Sequence, residues 1–327
     1  SPRLAPTAMV LSPLEAQGVS YYLSEMAMVS PPPELGGLLA LLVARGEELA
    51  QPGADAALHP FLVPLTRSAD GETTGLLRWP GSSTVLPVVR TNGTQLDLLA
   101  TRADHYLHYM AVIADSTDAS DKADLAALAL EVGVAWDAEA VAKAPGGVDG
   151  ALLTRVGPFA ESYERLALKH LSQGSEQAAL IACEKCQSCF QSWARPFAFH
   201  ARLLKSLGRA EEARDVARHA LSLPLWTLSP MPLAEVCELA QTSEAALCAT
   251  LRLKADGQLT PEELAKSNGM DERSPQQIAK ERASYLLDLA VAQPADYAYA
   301  QIRAEMRELY SEAEMGAFAA FVAPDAT

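Results

Sequence analysis

Apolar and polar positions alternate with the period of an α-helix over most of the chain. Between residues 12 and 29, apolar side chains recur at roughly helical spacing, which predicts a helix that ends before Pro31-Pro32-Pro33. A second helix is predicted over residues 34–50, and helical spacing returns at 101–115 and 121–134. Pro145-Gly146-Gly147 is typical of a linker. These stretches predict a mainly helical amino-terminal part over residues 1–145.

One segment of this part departs from the helical pattern. Between residues 52 and 100, prolines and glycines separate short runs rich in β-branched side chains. Residues 84–90 and 94–99 flank Asn92-Gly93, and both turn residues tolerate a positive φ. The pattern predicts a small β-hairpin at residues 84–99, within a region of about residues 75–100.

Residues 157–225 contain the same pattern twice, 34 residues apart. In each copy a glycine is preceded by alanine at seven residues and followed by alanine at five. The two sets are Ala167, Gly174 and Ala179, then Ala201, Gly208 and Ala213. Two amphipathic helices with this period predict stacked helix hairpins. We expect them over residues 150–255, with a degenerate third unit at 230–254, where Glu235 occupies a position for a small residue.

Residues 256–327 are predicted to form helices that cap the end of the array. Their starts carry capping-box sequences, in which a Ser or Thr side chain and a Glu or Gln three residues later satisfy backbone N–H groups. The boxes are Thr260-Pro261-Glu262-Glu263 and Ser274-Pro275-Gln276-Gln277, and Ser12-Pro13-Leu14-Glu15 has the same form. The helix after Ser274 is predicted to end near Ala292, and another is predicted over residues 297–321.

The repeat pair resembles the tetratricopeptide superfamily. Bulky residues fall at repeat position 4 and small residues at positions 8, 20 and 27. These are Tyr163 and Phe197, Ala167 and Ala201, Ala179 and Ala213, and Cys186 and Ala220. The resemblance implies a mainly α fold, an α-α superhelix of helix hairpins that binds other proteins. The small β-hairpin lies in the amino-terminal part.

Composition limits the function classes. A formal charge of −15 on 327 residues opposes binding to a phosphate backbone, so we expect no nucleic-acid partner. The longest apolar run, at 35–44, is half of the roughly 20 residues that a spanning helix needs. Five cysteines do not form a disulfide framework, which indicates a reducing compartment. Since the first residue is Ser1, we expect a processed or trimmed chain in which no targeting peptide is visible.

Three groups of residues could bind a metal ion. Cys183, Cys186 and Cys189 have a spacing that ligates zinc in loops, but on a helix they point around the cylinder, and we expect them to be unligated and mostly buried. Asp104, His105 and His108 could share a metal on a helix. Residues 252–263 resemble half of a calcium loop, with Arg252 and Lys254 where carboxylates are needed. We expect no metal, no cofactor and no catalytic residue.

A basic row lies on the predicted concave face of the repeats. Positions 2, 5, 9 and 12 of the first helix line this groove in tetratricopeptide proteins, and in the second unit they include Arg195, Arg202 and Lys205, with Arg209 nearby. These four residues are the predicted partner contacts, because they could bind a carboxylate or an acidic peptide. The alternative is pairing within the chain, with Glu161 and Glu164 of the first unit.

A second resemblance concerns the segment Thr74-Gly75-Leu76-Leu77-Arg78-Trp79-Pro80 followed by Leu86-Pro87-Val88-Val89-Arg90. It is similar to plastid helical-repeat proteins of plants and algae that assist photosynthetic complexes. The resemblance implies a non-catalytic interaction scaffold in the plastid stroma or at the thylakoid surface. It would be an accessory subunit or assembly factor bound peripherally to a membrane-embedded photosynthetic complex. Two alternatives stay open: a soluble metal-dependent hydrolase that uses Asp104, His105 and His108, and a peptide-binding co-chaperone.

Overall fold

The computed structural model describes residues 13–82, 84–116, 139, 141, 143–266 and 270–324. Over these residues it is mainly helical, with 58% helix and 14 helices, and it contains one small antiparallel sheet. The described residues fall into two compact units. The first comprises those within Ser1–Ala54, Val63–Arg90 and Leu99–Ser162, and the second those within Asp55–Leu62, Thr91–Leu98 and Tyr163–Thr327. The prediction of a mainly helical fold is confirmed.

Helices of the amino-terminal part follow the predicted pattern with two differences. They are α1 (Pro13–Tyr21), α2 (Leu35–Ala44), α3 (Ala103–Ser116) and α4 (Val148–Arg155). The last turn before Pro31 is a π-helix, Tyr22–Met26. Helix α2 ends six residues earlier than expected because Gly46 adopts φ +84°, the left-handed conformation that ends helices. Ser12 and the predicted helix at 121–134 lie outside the described residues.

The expected hairpin is part of a larger sheet. Five strands occur in the order β1-β2-β3-β4-β5: β1 (Glu48–Leu49), β2 (Leu62–Arg67), β3 (Thr73–Leu77), β4 (Val88–Asn92) and β5 (Gln95–Ala100). Strands β1 and β2 pair antiparallel, as do β3 and β4, where Gly75 faces Val89. The hairpin at Asn92-Gly93 is present, but the prediction of a lone hairpin was incomplete.

Burial explains why the sequence pattern did not predict β2 and β3 as strands. All five residues of β3 are buried, as are the first five of β2, so neither strand alternates apolar with polar positions. Pro64 also lies within β2 and argues against a strand there. Strand β1 faces only Thr66 and Arg67, so Pro64 lies beyond that ladder.

The two predicted helix hairpins are present with the predicted period. Helices α5 (Ala160–Ser172) and α6 (Glu176–Cys189) form the first, and α7 (Ala194–Ser206) and α8 (Ala210–Leu221) form the second. Helices α5 and α7 begin 34 residues apart, as do α6 and α8. Gly174 and Gly208 both adopt φ +76° at the turn of their hairpin. This equality follows from the repeated sequence, since a side chain would be strained at that φ.

The small positions of the repeats lie in the core. Ala167, Ala179 and Ala201 are fully buried, and Ala213, Cys186 and Ala220 are at most 3% exposed. Around the first hairpin, Ala167 and Ala179 pack with Phe199 and Leu203 of α7. Small side chains at these sites let the helices approach closely. The superhelical array beyond these hairpins stays a prediction.

Helices in the rest of the second unit complete it. They are α9 (Leu233–Leu239), α10 (Glu244–Ala255), α11 (Pro261–Lys266), α12 (Pro275–Ala292), α13 (Tyr299–Glu312) and α14 (Gly316–Val322). Both expected capping boxes close: the Ser274 hydroxyl accepts from the Gln277 N–H, and Thr260 pairs in the same way with Glu263. The helix expected over 297–321 is interrupted at Glu314, which has φ +59°.

Two short segments from the amino-terminal half belong to the second unit. In Asp55–Leu62, the buried His59 ring lies 4.5 Å from Trp226 and 5.0 Å from Tyr299. The Arg303 guanidinium donates hydrogen bonds to the carbonyls of Ala56 and Leu58. The second unit is therefore built from three separate stretches of chain.

The second of these segments is the tip of the β4–β5 hairpin, Thr91–Leu98. The Tyr299 hydroxyl donates to the Thr94 carbonyl at 2.5 Å, and the Asn92 amide donates to the Ser229 hydroxyl at 3.1 Å. These polar contacts fix the tip within the second unit.

Candidate partner-binding surface

Arg195, on the first turn of α7, is buried rather than available on a surface. Its side chain is 8% exposed. Its Nε and Nη2 atoms donate to the two Glu164 oxygens, each at 2.8 Å, and Nη1 donates to Asp97 at 2.9 Å. The carboxylate that Arg195 binds, in bidentate geometry, is therefore that of Glu164 and not that of a partner. The alternative of pairing within the chain is what the structure shows for this residue.

Arg202, two turns further along α7, is half exposed. Its guanidinium carbon lies 5.6 Å from the centre of the Phe199 ring, which is buried and so holds the guanidinium in place. Its ion pair with Glu235 of α9 is long, 3.9 Å between Nη1 and Oε1. Within the described part of the chain, no hydrogen bond reaches this guanidinium. Arg202 therefore has donors to offer.

Lys205 and Arg209 are exposed and paired. Lys205 donates to Glu238 of α9 at 2.7 Å, and this contact lowers the pKa of the Glu238 carboxyl. Arg209 precedes α8 rather than lying on α7, and it donates to both oxygens of Glu212 in the first turn of α8. Exposed pairs of this kind contribute little stability, about 0–1 kcal/mol, so a partner can exchange them.

Side chains of α5, α7 and α9 give this surface three bands, which we call the banded surface. The α5 band is apolar: Leu168 is 53% exposed and Leu171 is half-buried. These residues occupy the repeat positions that Arg202 and Lys205 hold on α7. The α7 band is basic and consists of Arg202 and Lys205. The third band is acidic and consists of Glu235 and Glu238 of α9. Leu168 and Phe199 were missed as site residues, although each could be found: Leu168 shares the repeat position of Arg202, and Phe199 precedes Arg202 by three residues.

The second acidic residue expected to balance the basic row lies elsewhere. Glu161 belongs to the first unit, where its carboxylate accepts a hydrogen bond from the Tyr109 hydroxyl at 3.3 Å. Asp97 and the α9 carboxylates pair with the row instead, and their separation in sequence hid them from pattern analysis.

The side chains of Asp104, His105 and His108 form hydrogen bonds with neighbouring groups of the chain. The Asp104 carboxylate accepts two hydrogen bonds from Arg102, at 2.8 and 3.0 Å. His105 Nδ1 lies 3.0 Å from the Thr101 hydroxyl, and His108 Nδ1 lies 2.8 Å from the Asp104 carbonyl. Among the described residues, no three His, Cys, Asp or Glu side chains are grouped so that they could hold a metal ion.

The three cysteines of α6 differ in exposure. Cys183 and Cys186 are buried, whereas Cys189, the last residue of the helix, is exposed, with its sulfur 3.7 Å from the Tyr163 hydroxyl. Burial raises the pKa of the Cys183 thiol to about 12 and also raises that of Cys186. Such thiols are poor nucleophiles and poor metal ligands.

Glu263, the last residue of the calcium-like segment, serves as a cap. Its carboxylate accepts hydrogen bonds from Lys254 at 2.8 Å and from the Thr260 N–H at 2.9 Å. Partial burial alone would raise its pKa, but these hydrogen bonds lower it to about 2. The carboxylate is therefore committed to the start of α11.

In the described ranges, no helix has both the length and the apolar character needed to cross a bilayer.

Comparison with known proteins gives a consistent family match along the chain. Three family profiles match: PAB N-terminal over residues 17–142, PAB middle domain over 160–243 and PAB C-terminal domain over 258–325. The middle match contains both helix hairpins. Membership of the tetratricopeptide superfamily stays a prediction.

One similar protein is the Arabidopsis thaliana protein named IN CHLOROPLAST ATPASE BIOGENESIS, chloroplastic. The two sequences are 31% identical over 274 residues, which is 82% of this chain and 80% of that relative. No solved structure matches the chain.

Proposed function

The chain belongs to the PAB family, and on that premise we propose that it is a plastid assembly factor for the chloroplast ATPase. It binds subunits of this complex before they are assembled and releases them into the finished enzyme. The observation that carries the proposal is the 31% identity over 82% of the chain to a relative named for chloroplast ATPase biogenesis. In this proposal, the ATPase is the photosynthetic complex that the sequence resemblance implied.

The helix hairpins support a role in protein contact rather than in catalysis. Stacked hairpins of this kind expose long helical faces, and proteins built from them use such faces to bind other proteins. The groups that a hydrolase would need, Asp104, His105 and His108, are engaged with Arg102, Thr101 and backbone. A scaffold therefore accounts for the geometry better than a metal-dependent hydrolase does.

The contact surface that we propose is the banded surface on α5, α7 and α9. Arg202 and Lys205 lie at its centre, and Arg209 lies at its edge. Arg195 no longer belongs to the proposed contact residues, because Glu164 and Asp97 satisfy its guanidinium in the interior.

Complementation tests the function. The chain, with a plastid transit peptide, is expressed in an Arabidopsis line that lacks the relative, and assembled ATPase is measured on native gels. We expect more assembled ATPase than in the same line without the introduced chain. The amounts of the photosystems, measured in both lines, are the matched control. Recovery of a photosystem without recovery of the ATPase would contradict the proposal.

Direct binding tests the mechanism. The purified full chain is mixed with each ATPase subunit, and complexes are detected by size-exclusion chromatography with light scattering. An assembly factor binds at least one free subunit and does not bind the assembled enzyme. Equal binding to the assembled enzyme would indicate a permanent accessory subunit instead.

A further inference from the structure

The Arg202 guanidinium on the banded surface is held in place without using its hydrogen-bond donors. The Phe199 ring, 5.6 Å away, is only 5% exposed, so the guanidinium rests on a rigid base. Among the residues that the structure describes, the acid paired with it is Glu235, which is 3.9 Å away and so beyond hydrogen-bond distance. A half-exposed arginine with five N–H donors and a fixed plane is suited to bind a carboxylate bidentately.

Arg195 shows within the same helix what such a contact looks like when it is complete. There a guanidinium holds Glu164 through two parallel hydrogen bonds of 2.8 Å. Arg202 lies seven residues later on α7, on the same face of the helix, and no carboxylate within the described part of the chain binds it in this bidentate way. Arg195 therefore holds the fold together, whereas the N–H donors of Arg202 are available to a partner.

An apolar side chain occupies the matching position of the first hairpin. Leu168 occupies the repeat position on α5 that Arg202 occupies on α7, and it is 53% exposed. On the other side, Glu235 and Glu238 of α9 repel additional acids from the third band. A bound segment is therefore restricted in register: its carboxylate meets α7 and its apolar residue meets α5.

We propose that Arg202 is the anchor for a carboxylate of the protein partner, carried by an acidic segment that places an apolar side chain on Leu168. This inference rests on the proposed function for the identity of the partner, but its chemistry concerns the surface alone. The occupant is a polypeptide segment with Asp or Glu within one helical turn of an aliphatic residue.

The test uses two labelled helical peptides and the full chain. One carries a Leu with Glu and Asp within a turn of it, and the other has Gln and Asn in place of the acids. By fluorescence anisotropy at low salt, we expect the wild type to prefer the acidic peptide by roughly tenfold, with the preference falling as salt rises. Equal affinity for the two peptides would overturn the proposal.

Single substitutions test which residues cause the preference for the acidic peptide. Arg202→Gln should abolish most of it, and Arg202→Lys should retain the charge but lose part of the preference, because an ammonium cannot bind bidentately. Leu168→Ser should weaken both peptides alike. Arg252→Gln removes an exposed arginine from α10 and is the matched control. If Arg202→Gln behaves as Arg252→Gln does, Arg202 is not the anchor.

The ATPase subunits provide the second arm. If a subunit binds the wild type, Arg202→Gln should weaken that complex several-fold and Arg252→Gln should not. If no subunit binds the wild type, the proposed function fails, while the peptide result still decides the chemistry of the surface. If a subunit binds the wild type and Arg202→Gln equally, the function survives and the anchor is elsewhere.

Discussion

Arg195 links parts of the chain that are distant in sequence. Asp97 comes from the β4–β5 hairpin tip and Glu164 from α5, and both pair with one buried guanidinium. Removal of that guanidinium leaves two carboxylates with little solvent, which is more costly than the loss of an exposed pair.

We therefore predict that Arg195→Met lowers the free energy of unfolding by about 2–4 kcal/mol, measured by urea denaturation. The control, Arg202→Met, removes a half-exposed arginine of the same helix and should change it by about 0.5 kcal/mol or less. Adding Glu164→Gln and Asp97→Asn to Arg195→Met should restore more than half of the loss. A loss equal to that of the control would contradict the buried triad.

Asp288 on α12 is a second buried residue that can carry a charge. It is 5% exposed, and its carboxyl accepts one hydrogen bond from the Leu225 N–H at 2.7 Å. Burial raises its pKa from 3.8 to about 8, so the folded chain keeps a proton that the unfolded chain releases. Stability from this group is complete below pH 4 and is lost as the pH rises toward 8.

We predict that Asp288→Asn removes the loss of stability that the wild type shows as the pH rises. In the wild type the Asp288 contribution to the free energy of unfolding should fall by about 1.4 kcal/mol per pH unit between about pH 5 and 7, where the unfolded carboxyl is ionised and the folded one is still protonated. The variant should be flatter and more stable at pH 8, since an amide oxygen can accept the same hydrogen bond without ionising. Asp256→Asn, an exposed change after α10, is the control. Parallel pH profiles for the wild type and Asp288→Asn would contradict the assignment.

At the scale of elements, the repeat depends on small side chains where helices approach. Ala213 is 2% exposed on the inner face of α8, whereas Ala210 is exposed at the start of the same helix. The two alanines therefore separate packing from helix propensity.

Ala213→Leu should destabilise the chain by about 1–3 kcal/mol, because the added atoms have no space between the helices. Ala210→Leu should have an effect of about 0.5 kcal/mol or less. Thermal unfolding of both variants, followed by circular dichroism, gives the comparison. Equal effects would mean that α8 does not pack through Ala213.

At the scale of the whole molecule, the second unit does not correspond to one continuous stretch. Its aromatic core includes His59 and Phe61, and its polar contacts include Thr94 and Asp97. These residues come from the amino-terminal half of the chain. A fragment that starts at Tyr163 lacks all of them.

We predict that the fragment Tyr163–Thr327 alone loses cooperative unfolding or much of its stability. Co-expression with residues 1–162 as a separate chain should restore both, because the missing segments are then supplied in trans. Hydrogen exchange should show the largest loss of protection around Trp226 and Tyr299, which contact His59. A fragment as stable as the full chain would show that these segments are not required.

The sequence by itself determined the helix hairpins, the starts of two helices and one hairpin turn. The 34-residue period identified both helix hairpins, because small residues and the turn glycines recur at fixed positions in each copy. The capping boxes at Thr260 and Ser274 marked the starts of α11 and α12, and Asn92-Gly93 marked the hairpin turn. Each of these signals acts within one or two turns of backbone, so no distant contact was needed to interpret it.

Tertiary structure alone decided which charges are available. Four cations looked alike in the sequence, yet Asp97 and Glu164 enclose Arg195, while Arg202 keeps its donors open over Phe199. Strands β2 and β3 were also hidden, because burial on both faces removes the alternation that reveals a strand. The ion pair between Arg195 and Asp97 joins residues 98 positions apart, and the contact of the His59 and Tyr299 rings joins residues still further apart. A pattern of neighbouring residues does not contain that information.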